Sequence, residues 1–280
     1  MMNALEIRGL TKTYPGFKLD SLDLTLPMGC VMGLVGENGA GKSTTIKLIL
    51  GILRADGGSI SILGKNGPAD ALTKEDIGVV LDEVGLPECL KAGQVGKIMA
   101  GTYRQWEPDT FEDLVTRLEI PRDTEFGKMS RGNRMKLGIA AAMSHGAKLL
   151  LLDEATGGLD PVVRDQVVDM IGEFTRREDR AVLLSSHIVS DLEKICDYIA
   201  FLHKGKLMLC REKDELLSEY GIVRCSAGEL DAIDAGAVLH RKDTAWGSEA
   251  IVRRDAVPEG MAVGAVTIEE LFIYMVKEEK

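Results

Sequence analysis

Residues 36–44 read Gly-Glu-Asn-Gly-Ala-Gly-Lys-Ser-Thr and follow directly on the apolar run Cys30-Val31-Met32-Gly33-Leu34-Val35. The apolar run predicts a strand buried on both faces, and Ser43 to Leu50 predicts a helix stopped by Gly51. A buried strand that turns through three glycines into a helix is the phosphate-loop (Walker A) arrangement of a parallel α/β sheet. Gly36, Gly39 and Gly41 let the backbone bend close to an anion without side-chain clashes. Backbone amides of the loop, which also holds Glu37, Asn38, Ala40 and Thr44, then face phosphate together with the helix N-terminus. Lys42 is placed to reach the β- and γ-phosphates, and Ser43 to offer its hydroxyl to Mg²⁺. The segment therefore predicts a bound nucleoside triphosphate.

At 280 residues the chain has room for one large domain, alone or with a small appendage. Hydrophobic residues make up 45% and charged residues 28%, enough for a buried core and too apolar for disorder. The formal net charge of −10 argues against a protein whose main work is gripping nucleic acid. No apolar run approaches the roughly eighteen residues of a membrane span, and Leu137 to Leu152 is broken by Ser144, His145 and Lys148. The opening Met-Met-Asn-Ala-Leu-Glu-Ile-Arg lacks the basic segment and apolar core of a signal peptide. Cys30, Cys89, Cys196, Cys210 and Cys225 are scattered, which argues against a metal or disulfide framework and for a reduced, cytosolic setting. If the protein works at a membrane, something else must hold it there.

Residues 4–28 alternate apolar and polar in short stretches around Pro15-Gly16, the pattern of an antiparallel β-layer. Ser59 to Leu63 and Ile77 to Leu81 predict further strands. From Glu83 to Ser144 apolar residues fall at helical spacing, with Pro108 and Pro121 as breaks, so an inserted helical subdomain is expected over 83–144. Leu149 to Leu152 and Ala181 to Leu184 again predict doubly buried strands, and Tyr198 to Leu209 a hairpin. Residues 1–220 are thus expected to form one unit. Residues 221–280 are expected as a C-terminal accessory domain of short β-runs and a final helix, capped by Thr267 and Glu270.

Leu149-Leu150-Leu151-Leu152-Asp153-Glu154 is an apolar strand ending in two carboxylates. Asp153, at the carboxyl end of a strand beside the phosphate loop, is placed to hold Mg²⁺ through water, as in a Walker B motif. Glu154 is placed to accept a proton from the water that attacks the γ-phosphate. An Asn-Lys-x-Asp guanine motif is missing, which disfavours a GTPase.

Four further segments, in order with these two, resemble the nucleotide-binding subunit of an ABC (ATP-binding cassette) transporter. Met129-Ser130-Arg131-Gly132-Asn133 is similar to the family's Leu-Ser-Gly-Gly-Gln signature, and Gly157-Gly158-Leu159-Asp160 to its D-loop. Ser185-Ser186-His187 resembles the strand end that carries the switch histidine, and Tyr14 sits where the family stacks a ring on adenine. The resemblance implies a mixed RecA-like sheet core with an antiparallel β-layer and an inserted helical subdomain. It also implies an ATPase working as a homodimer or with a paired nucleotide-binding subunit, on the cytoplasmic face of a membrane, beside a separate transmembrane permease. In that scheme two ATP molecules lie between head-to-tail subunits, with Ser130 and Gly132 of one facing the γ-phosphate held by the other. Glu154 then polarises the water, His187 contacts the γ-phosphate and Asp160 supports the interface.

Two positions depart from the family's pattern. Arg131 stands where the signature has glycine, and Asp82 where a glutamine ends the strand before the helical subdomain. Asp82 either keeps a metal role with a shorter, charged arm or caps the next segment. Arg131 either brings positive charge to the facing γ-phosphate or points to solvent. Asp82-Glu83, Ser-Arg-Gly and the ending Ile268 to Val276 resemble the ABC-2-type bacterial exporters. The competing readings are a soluble ABC-type ATPase with no transport role and a nucleotide-dependent regulatory binding module.

Overall fold

The computed structural model describes residues 2–244 and 247–278. The chain runs through β1 (Asn3–Tyr14), β2 (Phe17–Pro27), β3 (Val31–Val35), α1 (Lys42–Ile49), β4 (Gly57–Ile62), β5 (Lys65–Asn66), α2 (Ala71–Lys74) and β6 (Ile77–Val80). Helices α3 (Ala92–Thr102), α4 (Pro108–Arg117) and α5 (Arg131–Met143) fill the stretch expected to be helical. Then come β7 (Leu149–Asp153), α6 (Pro161–Thr175), β8 (Ala181–Ser186), α7 (Val189–Ile195), β9 (Tyr198–His203), β10 (Lys206–Glu212) and α8 (Lys213–Glu219). The chain closes with β11 (Tyr220–Cys225), α9 (Ala227–Leu230), β12 (Val238–Thr244), β13 (Gly247–Arg253), β14 (Val263–Gly264) and α10 (Ile268–Glu278).

The central sheet has the order β10-β9-β3-β8-β7-β6, parallel except for the antiparallel edge strand β10. Its continuous apolar runs are explained by the two-residue period of a strand, which sends alternate side chains to opposite faces. Leu149, Leu151, Ala181 and Leu183 enter the core shared with the antiparallel layer β2-β1-β4-β5. Leu150, Leu152, Val182 and Leu184 enter the helix-bearing core on the other face. Each of these leucines is at most 1% exposed, worth about 1.5–3 kcal/mol apiece in apolar burial.

This topology gathers the chemistry. The loops after β3, β8, β7 and β6 leave from the carboxyl ends of neighbouring parallel strands, where open α/β sheets bind ligands. In that order they carry the phosphate loop, His187, Asp153-Glu154 and Asp82. Helix α5 lies directly on β6 because Gly78 has no side chain: a Cβ there would sit 2.4 Å from the carbonyl oxygen of Ala142.

The last stretch forms a third sheet, ordered β12-β13-β11-β14, with a small core of Val223, Leu230, Ile233, Ala237, Ala250 and Val252. Thr267 and Glu270 cap α10 reciprocally, each backbone N–H donating to the other's side-chain oxygen. Ile268 and Leu271 of α10 are buried in the helix-side core, and the Phe272 ring meets Phe201 edge-on at 5.2 Å. The final helix therefore packs on the body that carries the phosphate loop.

Candidate active site

The phosphate loop is shaped by backbone. Gly41, at φ +113°, is the N-cap of α1 and offers no side-chain acceptor, so no cap side chain occupies the amides of the first turn. A Cβ on Gly36 would stand 2.5 Å from the carbonyl oxygen of Leu202, so only glycine lets the loop lie this close to β9. Thr45 steadies the turn by donating its hydroxyl to Gly41 O at 3.0 Å. The Lys42 ammonium is buried beneath the loop and donates to Gly36 O at 2.7 Å and Glu37 O at 3.3 Å.

Opposite the loop stands Glu154. It adopts φ +52°, a left-handed conformation that costs a non-glycine residue of order 1 kcal/mol. Its backbone N–H donates to Ser185 O, which holds the turn. The carboxylate thereby meets the Lys42 ammonium at 3.2 Å and the His187 Nδ1 at 2.6 Å. Lys42 and Glu154 are only 5% and 14% exposed, so this pair is far less screened than a surface one. Burial pushes the Glu154 carboxyl up, but the Lys42 charge and the His187 hydrogen bond outweigh it and hold the pKa below the ordinary carboxylate value. Asp153, at the end of β7, is buried and accepts a 2.6 Å hydrogen bond from Ser185 Oγ. The β7–β8 register, which pairs Asp153 with Ser185, places them there.

A cavity of about 530 Å³ is lined by residues 37–44, by Gly16 and Phe17, and by Asp82 and Glu154. It brings together the loop, Ser43, Asp82 and Glu154; His187 joins through Glu154. Tyr14 does not line it. Its ring centroid lies 6.4 Å from that of Phe17, with the Lys12 ammonium 5.7 Å from its face. Phe17 and Gly16 were not singled out from the sequence, although the second aromatic just past the Pro15-Gly16 turn is the signal that would have found them.

Ser130, Gly132 and Asp160 lie outside this cavity. Ser130 caps α5 by accepting from Asn133 N at 3.2 Å, and Asp160 caps α6 by accepting from Val163 N at 3.1 Å. Both caps are exposed, and the signature turn and the D-loop adjoin: a Cβ on Gly132 would be 3.6 Å from Gly158 O. Arg131 is largely exposed to solvent, as one of its two readings has it, and its side chain also has a partner. Its guanidinium pairs with an Asp82 carboxylate oxygen, so the two departures from the family's pattern are partners. Asp82 is engaged by this pair rather than in capping the segment that follows.

A family model for ABC transporters matches residues 19–157. The uncharacterized ABC transporter ATP-binding protein YhcH of Bacillus subtilis (strain 168) is 31% identical, over 99% of this chain and 92% of its own length. The bacitracin transport ATP-binding protein BcrA of Bacillus licheniformis is 31% identical over 74% of this chain and 69% of its own. A solved structure, the ATP-binding subunit of an ABC transporter, superposes with a TM-score of 0.69 at 27% identity. It covers 76% of this chain and 91% of that one.

Proposed function

The chain belongs to the ATP-binding, ATP-hydrolysing subunits of ABC transporters, and from that premise we propose which of its residues carry the reaction and with what partners. The observation that carries the reading is the line Lys42–Glu154–His187 beside the phosphate loop, buried at Lys42, largely covered at Glu154 and open to solvent at His187. ATP seats its β- and γ-phosphates on the loop amides and the N-terminus of α1, where partial positive charge and free donors meet an anion. The incoming phosphates draw the Lys42 ammonium from Glu154, and the carboxylate, relieved of that charge, becomes the stronger base. Glu154 then orients the attacking water and takes its proton, while His187, on the same carboxylate, holds that geometry and reaches the γ-phosphate.

The donors here are hard oxygens: the Ser43 hydroxyl and the Asp153 and Asp82 carboxylates. Among the described residues no cluster of three or more His, Cys, Asp or Glu side chains is arranged to hold a metal alone. That set fits Mg²⁺, which takes one or two carboxylates and completes its shell with phosphate oxygens and water. When bound, it neutralises charge on the β- and γ-phosphates. Ser43 would contact it directly and Asp153 through water, with Asp82 at the edge.

Ser130, Gly132 and Asp160, capped but facing outward, are the surface that a second nucleotide-binding subunit's ATP would meet. Two copies closing head to tail complete each other's sites, with ATP between them. Among the described residues no helix is long and apolar enough to cross a membrane. In this reading the membrane path belongs to a transmembrane permease subunit, as the family resemblance implies. Its docking place is the groove of about 710 Å³ between residues 82–88 and α5, floored by Val84, Leu86, Phe126 and Met135. The protein then works at the cytoplasmic face of the membrane. Export as the direction of transport is supported by the resemblance to ABC-2-type exporters, and transport itself by the likeness to BcrA, a bacitracin transport ATP-binding protein. We assign residues 1–220 to the ATP-binding unit and 221–280 to an accessory domain that rests on it.

The test is Glu154→Gln, with phosphate release and sedimentation measured in the presence of Mg²⁺ and ATP. Turnover should fall by at least about a hundredfold, as expected for loss of a general base, while an ATP-dependent dimer accumulates. A variant that keeps its turnover, or stays monomeric with ATP, would overturn the assignment.

A further inference from the structure

Arg131 occupies the first position of α5, next to the Ser130 cap, where the helix end is already positive and a cation is unfavourable. No acidic residue lies in that first turn to compensate. Asp82 is equally ill-placed on its own, since it lines the cavity that receives the triphosphate and would repel it. The two residues are 49 apart in sequence and meet as an ion pair at the junction of two spaces: Asp82 lines both the phosphate-loop cavity and the neighbouring groove, and Arg131 lines the groove. The Arg131 side chain also lies along the D-loop, 3.5 Å from where a Cβ on Gly158 would stand. Both partners are more than half exposed, 63% for Arg131 and 52% for Asp82, so the pair is weak enough to open.

We infer that Arg131 is a positioning residue acting through Asp82: it holds the Asp82 carboxylate at the signature turn until Mg²⁺ and ATP take it. This rests on the nucleotide site proposed above. In the open chain the pair ties the end of β6 to the first turn of α5 and to the D-loop, neutralising two misplaced charges at once. Closure on magnesium–ATP exchanges one partner for another. Asp82 turns to the metal, and Arg131 is released at the face that the second subunit approaches. The signature turn is thereby freed in the same event that fills the nucleotide site, without a separate signal.

The experiment uses the full chain carrying Glu154→Gln. The Mg²⁺ concentration giving half-maximal dimer at fixed ATP is read by sedimentation, with no dependence on turnover. Arg131→Gln should lower that midpoint by about two- to fivefold, the range expected from removing an exposed ion pair. Arg131→Lys, which keeps the charge, should restore the parent midpoint. In an Asp82→Asn background, Arg131→Gln should shift nothing further. An Arg131→Gln midpoint equal to or above the parent's, or a Lys variant that behaves like Gln, overturns the inference while the nucleotide site stands. If the Glu154→Gln chain forms no ATP-dependent dimer, the site assignment and the inference fall together.

Discussion

The phosphate loop and the signature turn are two regions held by opposite means. Around the loop, backbone does the work: Gly36 presses on Leu202, Gly41 turns into α1, and Lys42 and Glu154 pair out of water. At the signature turn, side chains do it: Ser130 and Asp160 cap exposed helix starts, and Arg131 reaches Asp82 across open surface. The first region is a receptor built from close backbone contacts and a largely covered ion pair. The second is a surface whose contacts are cheap to exchange. Helix α5 passes from one regime to the other, with Arg131 exposed at its start and residues 137–142 buried on β6.

The largest effect should come from the first region. Lys42→Ala removes the cation that meets Glu154 and that we propose meets the phosphates, and turnover should drop by at least about a hundredfold. Phosphate release against enzyme concentration measures it, and a variant retaining a tenth of the parent rate would break the comparison at its strongest point. A stability contrast comes next. Leu151→Ala, in a fully buried strand, should cost about 2–5 kcal/mol in urea unfolding. Ser130→Ala should cost only about 1 kcal/mol, the worth of an exposed cap, while abolishing the ATP-dependent dimer of the Glu154→Gln chain. Equal losses of stability at the two positions would erase the distinction between the regions.

The smallest effect is a pH dependence at the buried end of α5. His145 is 1% exposed and stacks on Tyr103 at 4.1 Å, and its two ring nitrogens lie 3.2 and 3.3 Å from the carbonyl oxygens of Ile77 and Ala141, of which the neutral ring donates to one. Burial lowers its pKa below the ordinary 6.5, with the two carbonyls opposing in part. The unfolded chain therefore takes up this proton first as the pH falls. The stability tied to neutral His145 is whole above the ordinary value and is lost on going down toward the folded one. Between pH 7.5 and 5.5 the parent should lose stability with a slope of up to about 1.4 kcal/mol per pH unit. His145→Gln should flatten that slope in denaturant titrations at the two pH values.

The difference between the regions also governs what could be read in the sequence. The strand, glycine turn and helix around Lys42 are local, and the doubly buried Leu149–Leu152 follows from its composition. The same holds for the Thr267–Glu270 cap. What was not legible depends on tertiary neighbours. The Asp82–Arg131 pair needs α5 brought onto β6, which Gly78 permits through contact with Ala142. Ser185 became a partner of Asp153 only through the parallel register of β7 and β8. The left-handed turn at Glu154 has no glycine to announce it. Phe17 entered the nucleotide cavity by its position after the first turn, while Tyr14, chosen for its resemblance to the family's aromatic, lies outside it.

The edge-on contact of Phe272 with Phe201 gives the end of the chain a mechanical stake in catalysis. Leu202, next along β9, is the residue whose carbonyl oxygen presses on Gly36, so the final helix buttresses the floor of the phosphate loop from behind. A proteolytic cut ahead of Ile268 would strip the cover from a wholly buried phenylalanine one residue from that floor. The tail is thus a wedge behind the nucleotide's cradle, seated by Ile268, Leu271 and the Phe272–Phe201 ring pair together.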